Sequence, residues 1–499
     1  IMSRGLGDVY KRQIYQHVHD SINGVSLPSH YETTARDAYG YALDVARRTL
    51  YKAAQNLAWE VPAEDPGSRY LFLFNPHAWE VTVHARQQYY DWRPATPIRV
   101  EDEQGRALPH QWTQNTIHYA PWVGTLITRV TLPPFGYRQI RIRGGGSAGP
   151  ETPPVKARKD LLENEHLRVT FRENGSIGLF DKDNDRQVFA GASGGARAMV
   201  IDDPHDSWAN VRAFDQEIGT FDSAAIRVME SGPLLGRVRV RTTYGDSTLT
   251  TDWILFADSR TLEARSVLDW HEQRKMLKLS FPVDVSDPKA TWEIPYGHVS
   301  RAPEGDEEPG HRWIDLTGRS GHEEYGLSVL NDAKFGYSVD GNDLRVSIVR
   351  APLYGHRSRG PVKPDPEYDW QNQGRQTLRL LLVPHAGSWQ DAGIVRAAEE
   401  LTAPVPIIPQ GIHPGSRPQT DSFLSVDASN VVVSALKLAE TDDDLIVRCF
   451  ETDGRETEAT LDFTFLKKSW SGIFRPSEIK TLRIQTQTGA IREVDALED

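Results

Sequence analysis

The chain has 499 residues, of which 38% are hydrophobic and 25% charged, with a net charge of −12; that length supports several packed domains. No apolar run approaches the ~20 residues of a membrane-crossing helix, and the acidic balance lacks the concentrated Lys and Arg that phosphate backbones require, which argues against membrane and nucleic-acid partners. Cys449 is the single cysteine, so an internal disulfide framework and a Cys-based zinc site are excluded, and a reducing cytoplasm is the expected location.

Residues 1–13 carry no apolar period and join abruptly to Ile14. They resemble a translated sequencing adapter and are expected to take no part in the fold, a short natural arm being the alternative. Behind them lies Gln16-His17-Val18-His19-Asp20, the densest cluster of groups able to bind a metal. Imidazole and carboxylate are what zinc takes in a mixed N/O site, while a polar helix end is the plainer reading of the motif alone. Over residues 28–59, Ala35, Tyr39, Ala42, Leu43, Ala46, Leu50, Ala53 and Leu57 recur at helical spacing, predicting one long amphipathic helix. Ser26 or Ser29 is placed to cap it, with Glu32 completing a capping box from Ser29. One helix cannot bury such a stripe alone, and no helical partner follows, so residues 14–62 read as the remnant of a helical domain.

From residue 68 the pattern changes to short alternating runs at 70–74, 81–85, 98–101, 126–132 and 137–142, which predict a small antiparallel sandwich over 68–143. The stretch 144–158 reads as a connection; its glycines lack the strand-to-helix context and the Lys of a phosphate-binding loop. Residues 159–402 carry many regularly spaced strands and suit a large two-sheet sandwich. Within it, Asp202-Asp203-Pro204-His205-Asp206 has metal-like content but is expected to be a solvated turn, and Asn174-Gly175-Ser176 is a β-turn unless the protein is secreted and glycosylated there. Five prolines mark 403–422 as a second linker, and 423–499 predict a terminal sandwich.

The continuation of the first cluster, His19-Asp20-Ser21-Ile22-Asn23-Gly24, resembles the His-Asp-x-x-x-Gly segment of the glycoside hydrolase family 38 α-mannosidases. Further segments resemble that family in the same order: Phe74-Asn75-Pro76-His77-Ala78-Trp79, Leu162-Glu163-Asn164-Glu165-His166-Leu167-Arg168-Val169, Glu293-Ile294-Pro295-Tyr296-Gly297, Leu330-Asn331-Asp332-Ala333-Lys334-Phe335-Gly336-Tyr337, Val383-Pro384-His385-Ala386-Gly387 and Glu478-Ile479-Lys480-Thr481-Leu482-Arg483. The resemblance implies a mainly β chain: a helical-bundle remnant, a small β-sandwich, a large galactose-mutarotase-like sandwich and a terminal β-sandwich. It further implies a retaining α-mannosidase acting on mannose-containing oligosaccharides or glycosides, with one zinc ion. His19 matches the last zinc ligand and Asp20 its substrate-facing neighbour, whereas His17 matches no ligand. Arg350 falls where the family places a basic residue at the active-site rim, an ordinary strand-end arginine being an equal reading. The remaining ligands, the nucleophile and the acid/base are expected upstream, so that no catalytic residue lies in these 499. Retaining hydrolysis needs two carboxyls about 5 Å apart, and the chain by itself is expected to bind zinc poorly and to hydrolyse nothing.

Two other readings stay open. One is a stand-alone carbohydrate-binding or structural β-sandwich protein. The other is a carbohydrate enzyme with its own carboxylate pair on the large sandwich. Trp292, Tyr296, Trp313 and Tyr354 either stack on sugars or fill the core.

Overall fold

A computed structural model describes residues 21, 24–90, 97–114, 123–145, 154–209, 211–356 and 367–499. The 1–13 leader, His17, His19 and Asp20 lie outside the described residues, as does most of the glycine-rich stretch after Gly145.

A π-helical turn at His30–Ala35 runs into helix α1, Arg36–Ala58. The predicted capping box is not formed. Ser29 already has helical dihedrals (φ −58°, ψ −29°) and makes no side-chain cap, whereas a capping side chain works from an extended residue. Thr33 instead donates its hydroxyl to the Ser29 carbonyl. Of the stripe, Ala35 and Ala42 are buried while Leu43 is 55% and Leu50 47% exposed; Ala54 and Ala58, outside the stripe, are buried instead. Only the last turn is firmly seated: Leu57, Ala54 and Ala58 pack with Val61, Phe72, Tyr137 and Ile408, Gln410 donates to the Ala58 carbonyl at 2.8 Å, and Arg417 pairs with Glu60.

After α1 the strands of the described residues all pair antiparallel, with one further α-helix and a short helical turn among them. The first sandwich has a three-stranded sheet of Val81–Tyr90, Val123–Leu132 and His110–Thr113. Its facing sheet centres on Ser68–Asn75 and Gly136–Gly144, with Ile98–Glu101 alongside. Alternation places Leu71, Leu73, Val100, Leu126, Val130, Leu132, Ile140 and Ile142 in one core between the two. The stretch expected as a second linker completes this sheet. Ile407–Gln410 pairs with Ser68–Asn75, and Thr420–Ser422 pairs with Gly136–Gly144. Prolines at 406, 409, 414 and 418 hid these strands, because proline is compatible with edge positions that need donate no ladder bond.

The large sandwich sets a six-stranded sheet against a nine-stranded one, with a single contiguous core that includes Trp253, Trp270, Phe281, Trp292, Tyr325 and Tyr337. A five-stranded sheet spanning Lys156–Arg158 to Arg186–Gln187 adjoins it. The Asn174–Ser176 segment is a turn: Gly175 has φ +83°, and both the amide and the hydroxyl of Ser176 donate to the Asn174 side chain. A helix not expected from the strand pattern, α2 at Ile394–Thr402, buries Ile394, Ala398 and Leu401 against Trp313, Leu330 and Trp389. Its i, i+4, i+7 spacing was the available signal.

The first and second sandwiches meet at Asp258, whose carboxylate takes His84 at 3.4 Å and Arg129, while the His84 ring stacks on Phe256 with centroids 3.8 Å apart. The His84 imidazole beside it, followed by the Arg129 guanidinium, holds the Asp258 carboxyl well below its ordinary value of 3.8. A depressed folded pKa stabilises above the unfolded pKa and ceases to as pH falls. The junction is therefore expected to be intact at neutral pH and to weaken below about pH 4. Acid unfolding of Asp258→Asn beside the parent checks this; superimposable losses of stability with falling pH would contradict it.

The terminal sandwich pairs a three-stranded sheet with a four-stranded one around Leu424, Val447, Leu461, Phe463, Phe474 and Leu482. Cys449 lies in that core, and burial pushes its thiol up to about 12. Since the thiolate is the reactive form, alkylation at pH 8 is expected to track unfolding; rapid labelling of the native protein would show the core to be open.

Candidate functional site

Arg350 ends the strand Asp343–Arg350. Its Nε meets the Asp203 carboxylate at 2.7 Å, Nη2 donates to the Asp206 carbonyl at 2.6 Å and to Asp203 at 3.2 Å, and Nη1 donates to the Ser207 carbonyl at 3.3 Å. The guanidinium also lies 5.3 Å from the Phe214 ring centroid. Asp203 is 0% exposed, so the acidic run 202–206, expected as a solvated turn, is instead folded around one arginine. A planar five-donor fork suits this work, satisfying a carboxylate and two carbonyls at once. With these donors engaged inside the protein, Arg350 holds the 203–207 loop in place.

The connection that follows Arg350 receives the segment just after Asp20. Gln371 donates to the Gly24 carbonyl at 2.8 Å. Tyr31 donates its hydroxyl to the Ser21 carbonyl at 2.8 Å and stacks on Tyr354 with centroids 5.8 Å apart. Leu27 lies against Gly355, where a Cβ would come within 3.2 Å of its side chain. Two stretches singled out separately in the sequence, the one beginning at His19-Asp20 and the one beginning at Arg350, thus share an edge of the large sandwich. Among the described residues no group of three or more His, Cys, Asp or Glu side chains could hold a metal ion.

Of the four aromatic residues that could stack on sugars, Trp292 and Trp313 are core residues, each 1% exposed, and Tyr354 is occupied by Tyr31. Tyr296 is 45% exposed. A buried constellation that sequence reasoning missed joins Ser328, His385 and Asp315. It superficially matches a nucleophilic triad, but Asp315 Oδ1 accepts from Ser328 at 2.6 Å and lies 2.9 Å from His385 Nε2. The serine hydroxyl sits closer to the carboxylate than to the imidazole, whose Nε2 is 3.4 Å away, and all three side chains are buried, so this is a structural network.

Residues 162–367 match the glycosyl hydrolases family 38 C-terminal domain, and residues 430–472 match the glycosyl hydrolases family 38 C-terminal beta sandwich domain. These two stretches of the chain thus carry the C-terminal domains of glycosyl hydrolase family 38. Proteins similar to this chain include alpha-mannosidase 2C1 of Mus musculus, 27% identical over 484 residues, covering 91% of this chain and 41% of that protein. Alpha-mannosidase 2C1 of Homo sapiens is 29% identical over 371 residues, covering 66% of this chain and 32% of that protein. Alpha-mannosidase G of Dictyostelium discoideum is 26% identical and covers 68% and 32% respectively. The chain thus spans well under half the length of these relatives. In fold it is similar to the crystal structure of an alpha-mannosidase from Enterococcus faecalis V583, with a TM-score of 0.79 at 16% identity, covering 96% of this chain and 63% of that one. The mainly β architecture expected from the sequence is the architecture of this region.

Proposed function

We propose that this chain forms the C-terminal part of a retaining α-mannosidase that hydrolyses mannose-containing oligosaccharides or glycosides, with the edge shared by residues 21–31 and the Arg350 connection forming one wall of the site. The observation that carries the reading is that docking itself: the segment next to His19-Asp20 is fastened to the strand end at Arg350 through Gln371, Tyr31 and Tyr354. The names of the relatives support the substrate class. In this reading His19 is one zinc ligand and Asp20 faces the sugar, while Arg350 is a positioning residue that fixes the 203–207 loop at the rim.

The described residues offer no ready metal cage, so zinc would draw on His19 and on ligands beyond them. What this wall contributes is shape and dryness. Retaining hydrolysis depends on a nucleophile and an acid/base carboxyl about 5 Å apart across the scissile bond, and a rigid β wall limits water at that bond and keeps the sugar ring in register. The nucleophile and the acid/base are assigned to sequence other than these 499 residues, and a cytoplasmic location belongs to the same proposal.

The test is hydrolysis of an aryl α-mannoside. The 499-residue protein alone is expected to show no turnover with or without zinc, and His19→Ala in a longer enzyme that hydrolyses the substrate is expected to lose bound zinc and activity together, with His17→Ala nearly unaffected. Robust turnover by the purified chain, or undiminished zinc in the His19→Ala enzyme, would overturn the assignment.

A further inference from the structure

Where the large sandwich, α2, the first sandwich and the terminal sandwich converge, they enclose an open cleft of about 350 Å³, within the range of small-molecule sites. It shares no residue with the Arg350 cluster. Its wall is a planar charge pair: Arg312 meets Glu293 at 2.5 Å and Glu399 at 2.8 Å, with His311 Nδ1 3.5 Å from Glu293. Phe450, Val395 and Val433 add apolar surface to the lining, beside polar Ser434 and Thr452. Over this space stands Tyr296, its ring edge-on to Phe450 with centroids 5.1 Å apart.

Tyr296 is held there at a cost. Pro295 and Tyr296 form the two-residue turn between the paired residues Ile294 and Gly297, and Tyr296 takes φ +59°. A turn residue with φ above zero is ordinarily Gly or Asn; a bulky side chain there is strained. The sequence places glycine one position later and puts the aromatic ring in the left-handed position, half exposed over a cavity.

The chemistry of the lining selects a ligand class. Arg312 already answers two carboxylates, so it offers no free positive charge to an anion. Those carboxylates are likewise engaged, so a metal cation would have to break the pair. The same occupancy makes Glu293 and Glu399 unsuited to be a proton donor and a nucleophile. What remains is an aromatic face for C–H groups beside fixed donors and acceptors for hydroxyls, a combination that suits a neutral polyhydroxylated ring.

We infer that this cleft is a glycan-binding subsite that takes a neutral hexopyranose ring, with one ring face on Tyr296 and the hydroxyls toward Glu399, Arg312 and His311. The subsite concerns binding alone and stands whether or not the chain belongs to an active mannosidase.

The test is ligand-observed saturation-transfer NMR on the 499-residue protein with methyl α-D-mannopyranoside, methyl β-D-glucopyranoside and methyl β-D-galactopyranoside. Transfer to the ring C–H protons of at least one glycoside is expected. Tyr296→Asn removes the ring while suiting the left-handed backbone, so it is expected to keep the parental unfolding temperature and to weaken binding by about tenfold. Tyr296→Phe is expected to bind as the parent does. No transfer from any of the three glycosides, or equal affinity in the parent and Tyr296→Asn, would overturn the subsite. Aryl α-mannoside hydrolysis does not enter this readout, so the two proposals fail separately.

Discussion

Replacing Arg350 by alanine is expected to remove roughly 3–5 kcal/mol of folding stability, the cost of leaving one partner of a buried ion pair unanswered. Asp203 has no access to water, and the carbonyls of Asp206 and Ser207 lose their donor at the same time. Against a typical domain stability of about 5–15 kcal/mol, that loss would leave the large sandwich marginal. Denaturant unfolding followed by tryptophan fluorescence reads it directly, since Trp253, Trp270 and Trp292 sit in that core. Arg350→Lys should recover only part of the loss, because an ammonium cannot bridge a carboxylate and two carbonyls with the fork geometry of a guanidinium. A measured loss below about 1 kcal/mol would place the pair among ordinary surface salt bridges. Kinetic effects of Arg350 variants in a longer enzyme therefore need a folding measurement beside them.

A comparable loss, at least about 3 kcal/mol, is expected from Glu451→Ala in the terminal sandwich, because several buried donors would be left unmatched. Glu451 is 0% exposed. One carboxylate oxygen accepts from the Asn430 side chain and the Asp453 amide, and the other from the amides of Gly454, Arg455 and Ser477. Four of those five donors are backbone groups that cannot reorient. Glu451→Gln should do little better, since its amide nitrogen would face N–H groups on one side. Hydrogen exchange at 453–455 and 477 localises the effect; unchanged protection there would show that water replaces the carboxylate without penalty.

What the sequence disclosed, and what it withheld, follows from how far each signal reaches along the chain. Alternation with period two is local, and it located strands such as Leu167–Phe171 and Leu445–Glu451. Helical spacing located α1 but could not say which residues of its stripe find partners, and Leu43 and Leu50 do not find them among the described residues. Pairing between distant segments was illegible, which is why Ile407–Gln410 read as linker while it is an edge strand of the first sandwich. The same limit hid the candidate sites. Asp203 and Arg350 are separated by 147 residues in the chain, and an acidic run with a proline reads as a solvated turn until the arginine that buries it is known. Tyr296 was singled out with three other aromatics, yet only the register of the 286–294 and 297–301 strands shows that it occupies a turn position normally given to glycine.

The return of residues 407–422 to the first sandwich bears on how the protein is made. As the chain leaves the ribosome, Ser68–Asn75 and Gly136–Gly144 emerge before the large sandwich, but the strands that flank them are translated only after the whole of it. During that interval two sheet edges stand open, with backbone groups free to pair with another nascent chain. Closing them requires contacts of very long sequence separation, which form slowly. The first sandwich is thus begun before the large sandwich and completed only after it, and during that wait a chaperone would have most to protect.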